Sequence, residues 1–178
     1  MSDEPPIAGA AASGDPDSRP APLSPRPRTF LVVVDKSKEM NAALLFASAR
    51  ARATGGVVAL LKVIEPPEFS HFAAIGERMA DENRDEAEQV LHRFAAETVK
   101  MSGRMPVLYL REGKAEDEVR DLLESEDDIS ILVLAAGTGA EGPGPLVSAL
   151  TGKMAGRIRV PVTIVPGSLT EEEILRLA

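Results

Sequence analysis

No cysteine occurs anywhere in the chain, so disulfides, thiolate zinc centres and iron–sulfur clusters are excluded and the fold must stand on packing alone. Tryptophan is missing too, and aromatic residues make up only 3% of the total, which removes the stacking platforms that single-stranded nucleic acid uses. Cations are in deficit: 20 Lys and Arg stand against 28 Asp and Glu, for a net charge of -8. Such a field opposes nucleic acid and anionic membranes, because both are polyanions. No apolar run is long enough to span a bilayer, and the N-terminus lacks the apolar core of about 7–15 residues that a secretory signal requires. The expected partners therefore include neither nucleic acid nor membrane, and a cytoplasmic location is the default.

What is present suits one globular domain: 178 residues, of which 44% are hydrophobic, can bury a sizeable core. Residues 1–28, MSDEPPIAGAAASGDPDSRPAPLSPRPR, stand apart. They hold half of the chain's 14 prolines and, beyond the first methionine, only Ile7 and Leu23 as large aliphatics. Such a stretch cannot bury enough apolar surface to offset its ordering entropy, and a disordered tail is expected. Its P-x-x-P spacings with arginines would suit a proline-rich docking ligand, but a plain extension is the simpler reading.

From Thr29 onward, strand-like apolar runs alternate with helix-period segments, the signature of an α/β fold with a parallel sheet. The strands read TFLVVVD (29–35), VVALLKVIE (57–65), MPVLYLRE (105–112), ISILVLAA (129–136) and VPVTIVP (160–166). Between them lie a helix carrying Met40, Ala43, Leu44, Ala47 and Ala51 on one face, and a long one from about Arg78. A third carries Val119, Leu122 and Leu123, and a fourth spans PLVSALTGKMAGRI from Pro145. Near-continuous apolar strands imply burial on both faces, hence helices on both sides of the sheet. After the last strand, GSLTEEEILRLA (167–178) places Thr170 and Glu173 at capping-box spacing, so a short helix is expected there, with Ile174, Leu175 and Leu177 available for docking.

Ligands of such sheets collect outside the carboxyl ends of the strands, where the strand order reverses. The glycine run Gly137-Thr138-Gly139-Ala140-Glu141-Gly142 follows the fourth strand and matches G-x-G-x-x-G. A dinucleotide fingerprint, however, should follow the first strand, open directly into a helix and be answered by an acidic residue about 20 residues later. Here Pro143 and Pro145 interrupt, and residues 157–162 read RIRVPV; NAD is not the expected ligand. Nor is Thr151-Gly152-Lys153-Met154 a P-loop, since the Ser or Thr after the lysine is missing. What remains is a chain of small residues leading to a helix N-terminus, where free N–H groups favour an anion.

These segments together resemble the universal stress protein family over residues 29–166. The likeness rests on FLVVVDKSKEMNAALLFASARARATGGVVALLKVIEPP, LREGKAEDEV, ISILVLAAGTGAEG and VPVTIVP. The resemblance implies a doubly wound, mostly parallel, Rossmann-like five-stranded sheet of order 3-2-1-4-5 and commonly a homodimer, here through the apolar last strand. It also implies an adenine nucleotide site for ATP or AMP. Asp35 would lie near the adenosine, the main chain of Val63 would read the adenine, and the loop after the fourth strand would hold the phosphates, with no metal beyond nucleotide-associated Mg.

In the family that loop reads Gly, two residues, Gly, nine residues, then Gly followed by Ser or Thr. Spacing alone aligns Gly139, Gly142 and Gly152, with Lys153 replacing the hydroxyl. Anchoring on the strand end and Pro161 instead aligns Ala135, Thr138 and Val147 with the glycines and Ser148 with the hydroxyl, and preserves the closing helix. In this second register β-carbons stand where the family has bare backbone, so weak binding is expected, although Gly137, Gly139, Gly142 and Gly144 could supply the freedom in a rearranged loop.

Each polar candidate also has a plainer role. Asp35 at a strand end suits a turn or helix cap, and Lys36 and Lys38 suit solvated surface. His71 and His92 have no companion ligands for a metal, and EDEVRDLLESEDD reads as a solvated helix face. No nucleophile, base and orienting group converge, so catalysis is not the leading expectation and slow ATP hydrolysis is the most the resemblance allows. Two functions stay open: a stress-response protein that binds adenine nucleotide, and a non-catalytic homodimeric interaction module that binds none and contacts an unknown protein partner.

Overall fold

The computed structural model describes residues 27–66 and 73–178; the expectations for residues 1–26 and for His71 lie outside the described residues. The chain runs β1 (Thr29–Val33), α1 (Met40–Thr54), β2 (Val57–Ile64), α2 (Ala73–Ser102), β3 (Val107–Glu112), α3 (Ala115–Ser125), β4 (Ile129–Ala136), α4 (Pro145–Thr151), β5 (Val162–Pro166) and α5 (Glu171–Leu177). The sheet order is β3-β2-β1-β4-β5, and all four pairings are parallel. The fold is thus the doubly wound sheet that the alternating segments predict.

Because side chains alternate across a strand, β1 feeds two cores. Phe30 and Val32 pack with Leu44 and Ala47 of α1 and with Leu91 and Phe94 of α2. Leu31 and Val33 pack with Val119 and Leu122 of α3 and with Val147 and Leu150 of α4. Each fully buried Leu or Phe contributes about 1.5–3 kcal/mol by leaving water. This double burial explains why the strands read as unbroken apolar runs.

Several boundaries differ from expectation, β3 and β5 each starting two residues late, at Val107 and Val162. The long helix starts at Ala73, ahead of Arg78. The fourth helix stops at Thr151 and does not continue to Ile158: Gly152 N–H closes on the Ser148 carbonyl at 3.1 Å, and turns carry the chain onward. β1 ends at Val33, two residues before Asp35.

At the C-terminal end, the Thr170 hydroxyl accepts from the Glu173 amide at 3.3 Å, and the Thr170 amide donates to the Glu173 carboxylate at 2.9 Å. These two bonds complete a capping box and start α5. The bonds from Thr170 hold the Glu173 carboxyl below the usual carboxylate range. Only part of the expected docking occurs. Ile174 is buried in the α1–α2 core, whereas Leu175 and Leu177 are 56% and 59% exposed, because a helix of this length turns only one narrow face inward. Arg50 of α1 donates to the Ala178 main-chain oxygen at 3.0 Å and holds the end of the helix.

Ile174→Ala should therefore lower stability by about 2–5 kcal/mol through the cavity it leaves, while Leu175→Ala stays within about 0.5 kcal/mol. Urea unfolding of both variants checks the pair, and equal effects would mean that α5 is not docked through Ile174.

Candidate functional site

The strand order reverses between β1 and β4, and β1 is shorter than either neighbour. Its pairing with β2 ends at Val33↔Leu61, and its pairing with β4 ends at Val32↔Val133. β2 runs on through Lys62, Val63 and Ile64, and β4 through Leu134, Ala135 and Ala136. The result is a notch at the carboxyl edge, floored by the end of β1 and walled by β2 and β4. Its position is where open α/β sheets take ligands.

Asp35 leaves the floor of this notch. Its Oδ1 accepts from the Ser37 amide at 2.8 Å and from the Ser37 hydroxyl at 2.6 Å, a side-chain turn that fixes the carboxylate at the surface. Oδ2 makes no hydrogen bond among the described residues. Val63 stands on the β2 wall, with its side chain 9% exposed and packed in the α3–α4 core. Only its main chain can meet a ligand.

The loop after β4 closes on itself. The Gly142 amide donates to the Gly139 carbonyl at 3.1 Å, and a β-carbon placed on Gly137 would lie 2.7 Å from the Gly142 carbonyl oxygen. Gly144, at φ 94°, then leads into α4 at Pro145, a backbone that side-chain-bearing residues rarely adopt. These glycines let the chain double back and enter its last sheet-packing helix. Gly139 and Thr138 are exposed, while Ala135 packs toward the α1–α2 core and Val147 is buried in the α3–α4 core. The side chains of Ala135 and Val147 thus pack into the two cores, one on each face of the sheet. Ser148 is exposed in the first turns of α4, and its hydroxyl donates to the Gly144 carbonyl at 2.8 Å. To donate to a phosphate it must give up that bond. Gly152, the third glycine by spacing alone, caps the far end of α4.

Two charged residues at this edge had no signal in the motifs. Lys62 is half-buried, and its Nζ donates to the Val34 carbonyl at 3.2 Å, tying the β2 wall to the end of β1. Burial lowers its pKa, and Lys36 lowers it further, against smaller upward pulls from Asp35, Glu86 and Glu65. The one available clue was a lysine interrupting the apolar run VVALLKVI. Glu39, the N-cap residue of α1, makes no side-chain capping bond. Its stem packs against Gly167, and its Oε1 lies 3.9 Å from a β-carbon placed on Gly137. His92 is exposed on α2, and no cluster of metal-ligating side chains occurs among the described residues. The acidic stretch of α3 is a solvated face in which Arg120 pairs with Asp117 and Asp121.

The sequence profile of the universal stress protein family matches residues 27–166. The chain belongs to that family. Among solved structures, a universal stress protein from Lactobacillus plantarum is similar with a TM-score of 0.66 at 19% identity, covering 80% of this chain and 99% of the other. One from Archaeoglobus fulgidus gives 0.56 at 20% identity, over 78% and 93%. A family member from Arabidopsis thaliana with AMP bound gives 0.51 at 11% identity, over 79% and 92%. At these identities the likeness is one of fold. A comparison with curated proteins returns no match.

Two outcomes test the edge. The folded-state pKa of Lys62 lies below its ordinary 10.5, so the unfolded chain holds that proton more tightly and stability rises with pH between the two values. Lys36→Met should raise the Lys62 pKa and Asp35→Asn should lower it further, both read by NMR of the labelled amine. Gly137→Ala should cost about 1–3 kcal/mol by pushing the Gly142 carbonyl away, whereas Gly139→Ala, which meets open space, should leave the melting temperature unchanged.

Proposed function

We propose that this universal stress family protein binds adenine nucleotide, ATP or AMP, weakly at the notch between the carboxyl ends of β2, β1 and β4. The observation that carries this reading is the notch itself: Asp35 on its floor, the Val63 main chain on one wall and the Gly137–Gly144 loop leaving the other. A carboxylate oxygen suits a ribose hydroxyl, a main-chain strand edge suits the hydrogen-bonding edge of a purine, and a small-residue loop suits a phosphate. The AMP-bound Arabidopsis relative supports the same ligand class. Affinity is limited by the loop closing on itself and by the Ser148 hydroxyl being engaged with Gly144. No base, nucleophile and third orienting group converge among the described residues of the notch, and the reading is one of binding, with at most slow ATP hydrolysis.

A second reading, a homodimeric interaction module, is favoured by β5. This strand sits at the sheet edge, and its Ile164 is 38% exposed. An open apolar edge is normally covered or paired, and pairing with a second copy is the simplest cover. Self-pairing through β5 is compatible with either reading, since β5 and the notch use different parts of the sheet; what separates the readings is whether the notch takes nucleotide.

Calorimetry with ATP, AMP and NAD tests the nucleotide reading. ATP and AMP should bind with a Kd of about 0.1–1 mM, Asp35→Ala should weaken both, and NAD should bind no tighter than AMP. Absence of binding at millimolar concentration would leave the interaction module as the function, and tight NAD binding would restore the dinucleotide fingerprint. Light scattering at micromolar concentration decides the dimer: a monomer removes β5 self-pairing.

A further inference from the structure

Glu39 is held at the mouth of the notch with no ion-pair partner among the described residues. It precedes the first turn of α1, and its main-chain oxygen accepts from the Ala42 amide at 2.8 Å. The stem is wedged: a β-carbon on Gly167 would lie 2.9 Å from Glu39 Cβ and would also overlap Cγ. Gly167 is itself pinned, its amide donating to the Ala136 carbonyl at the end of β4 at 2.9 Å. The carboxylate consequently faces Gly137, the first residue of the loop. It forms no hydrogen bond or ion pair among the described residues, although it is half-buried. The nearest cations along the chain do not compensate it, since Lys36 and Lys38 are exposed on the preceding turn and Lys62 is bonded to the Val34 carbonyl.

We infer that Glu39 sets which adenine compounds the notch accepts, favouring the uncharged nucleoside over its phosphates. The inference rests on the adenine-site reading above and names its ligand class more narrowly. A fixed carboxylate beside the phosphate-facing loop, whose residues 138–141 are exposed, repels each added anionic group, with solvent screening limiting the effect to a few-fold per charge. An adenosine ring system and ribose carry no such charge, so the Asp35 and Val63 contacts act on it without opposition. The penalty grows from monophosphate to triphosphate. Glu39→Gln keeps the length of the side chain and its packing on Gly167 while removing the charge, and Glu39→Asp keeps the charge.

The test is calorimetric titration of the full chain with adenosine, AMP and ATP in a buffer containing EDTA, so that no divalent cation masks the phosphates. Wild type should bind adenosine at least as tightly as AMP, and AMP more tightly than ATP. Glu39→Gln should gain about 3–10-fold for AMP and more for ATP, with adenosine unchanged within about twofold, and Glu39→Asp should retain the wild-type order. Equal gains for all three compounds, or no gain for the phosphates while adenosine binds, would overturn the role of Glu39 alone. Binding of none of the three to any variant would overturn the adenine site together with it, and circular dichroism of each variant confirms that the fold is intact.

Discussion

The burial of β1 on both faces, between two longer parallel neighbours, is the constraint on which the rest depends. Parallel strands need crossovers, and the crossovers place α1 and α2 over one face and α3 and α4 over the other. With all strands pointing one way, the described strand-to-helix loops emerge at one edge. Shortening the central strand turns that edge from a flat rim into a notch. The loops can then vary without disturbing the cores, because the apolar residues that stabilise the sheet lie behind the notch and not in it.

Charge at the notch is arranged differently from charge over the chain. The whole molecule is acidic, with a net charge of -8, yet a lysine of reduced basicity is tied to the β2 side, and a glutamate with no partner among the described residues faces the β4 side. Lys62 is spoken for by a carbonyl, which explains how a cation is tolerated half-buried in an apolar strand. Glu39 is tolerated because its stem packs on Gly167 while its head stays near solvent. The two place opposite charges on the two sides of the notch.

The described part of the chain beyond the last strand is integrated with the domain. α5 lies against α1, anchored by Ile174 in the core, by the capping box at its start and by Arg50 at its end. A helix this short is marginal alone; its stability is borrowed from tertiary contact. Leu175 and Leu177 stay outside because they fall off the docked face.

The sequence by itself determined the elements and their layering. Strand and helix periods are local properties of the chain, so the apolar runs of β1, β2, β4 and β5, the α1 stripe from Met40 to Ala51 and the Thr170–Glu173 capping box were all legible in it. That Asp35, Val63 and the glycine loop share the carboxyl edge follows from a parallel α/β reading, whereas the strand order was reached through family resemblance, since no periodicity encodes which strands become neighbours. Only the tertiary structure decided what that edge contains. Val147 lies in the loop motif by alignment yet turns into the α3–α4 core; α4 ends at Thr151 although its apolar pattern continues. Lys62 and Glu39, unmarked by any motif, reach the notch because crossovers bring the end of β2, the start of α1 and the turns after β4 and β5 together across more than a hundred residues of chain. Contacts of that separation depend on how whole elements stack, and side-chain direction at a loop is set by the element it packs against and not by its neighbours in sequence.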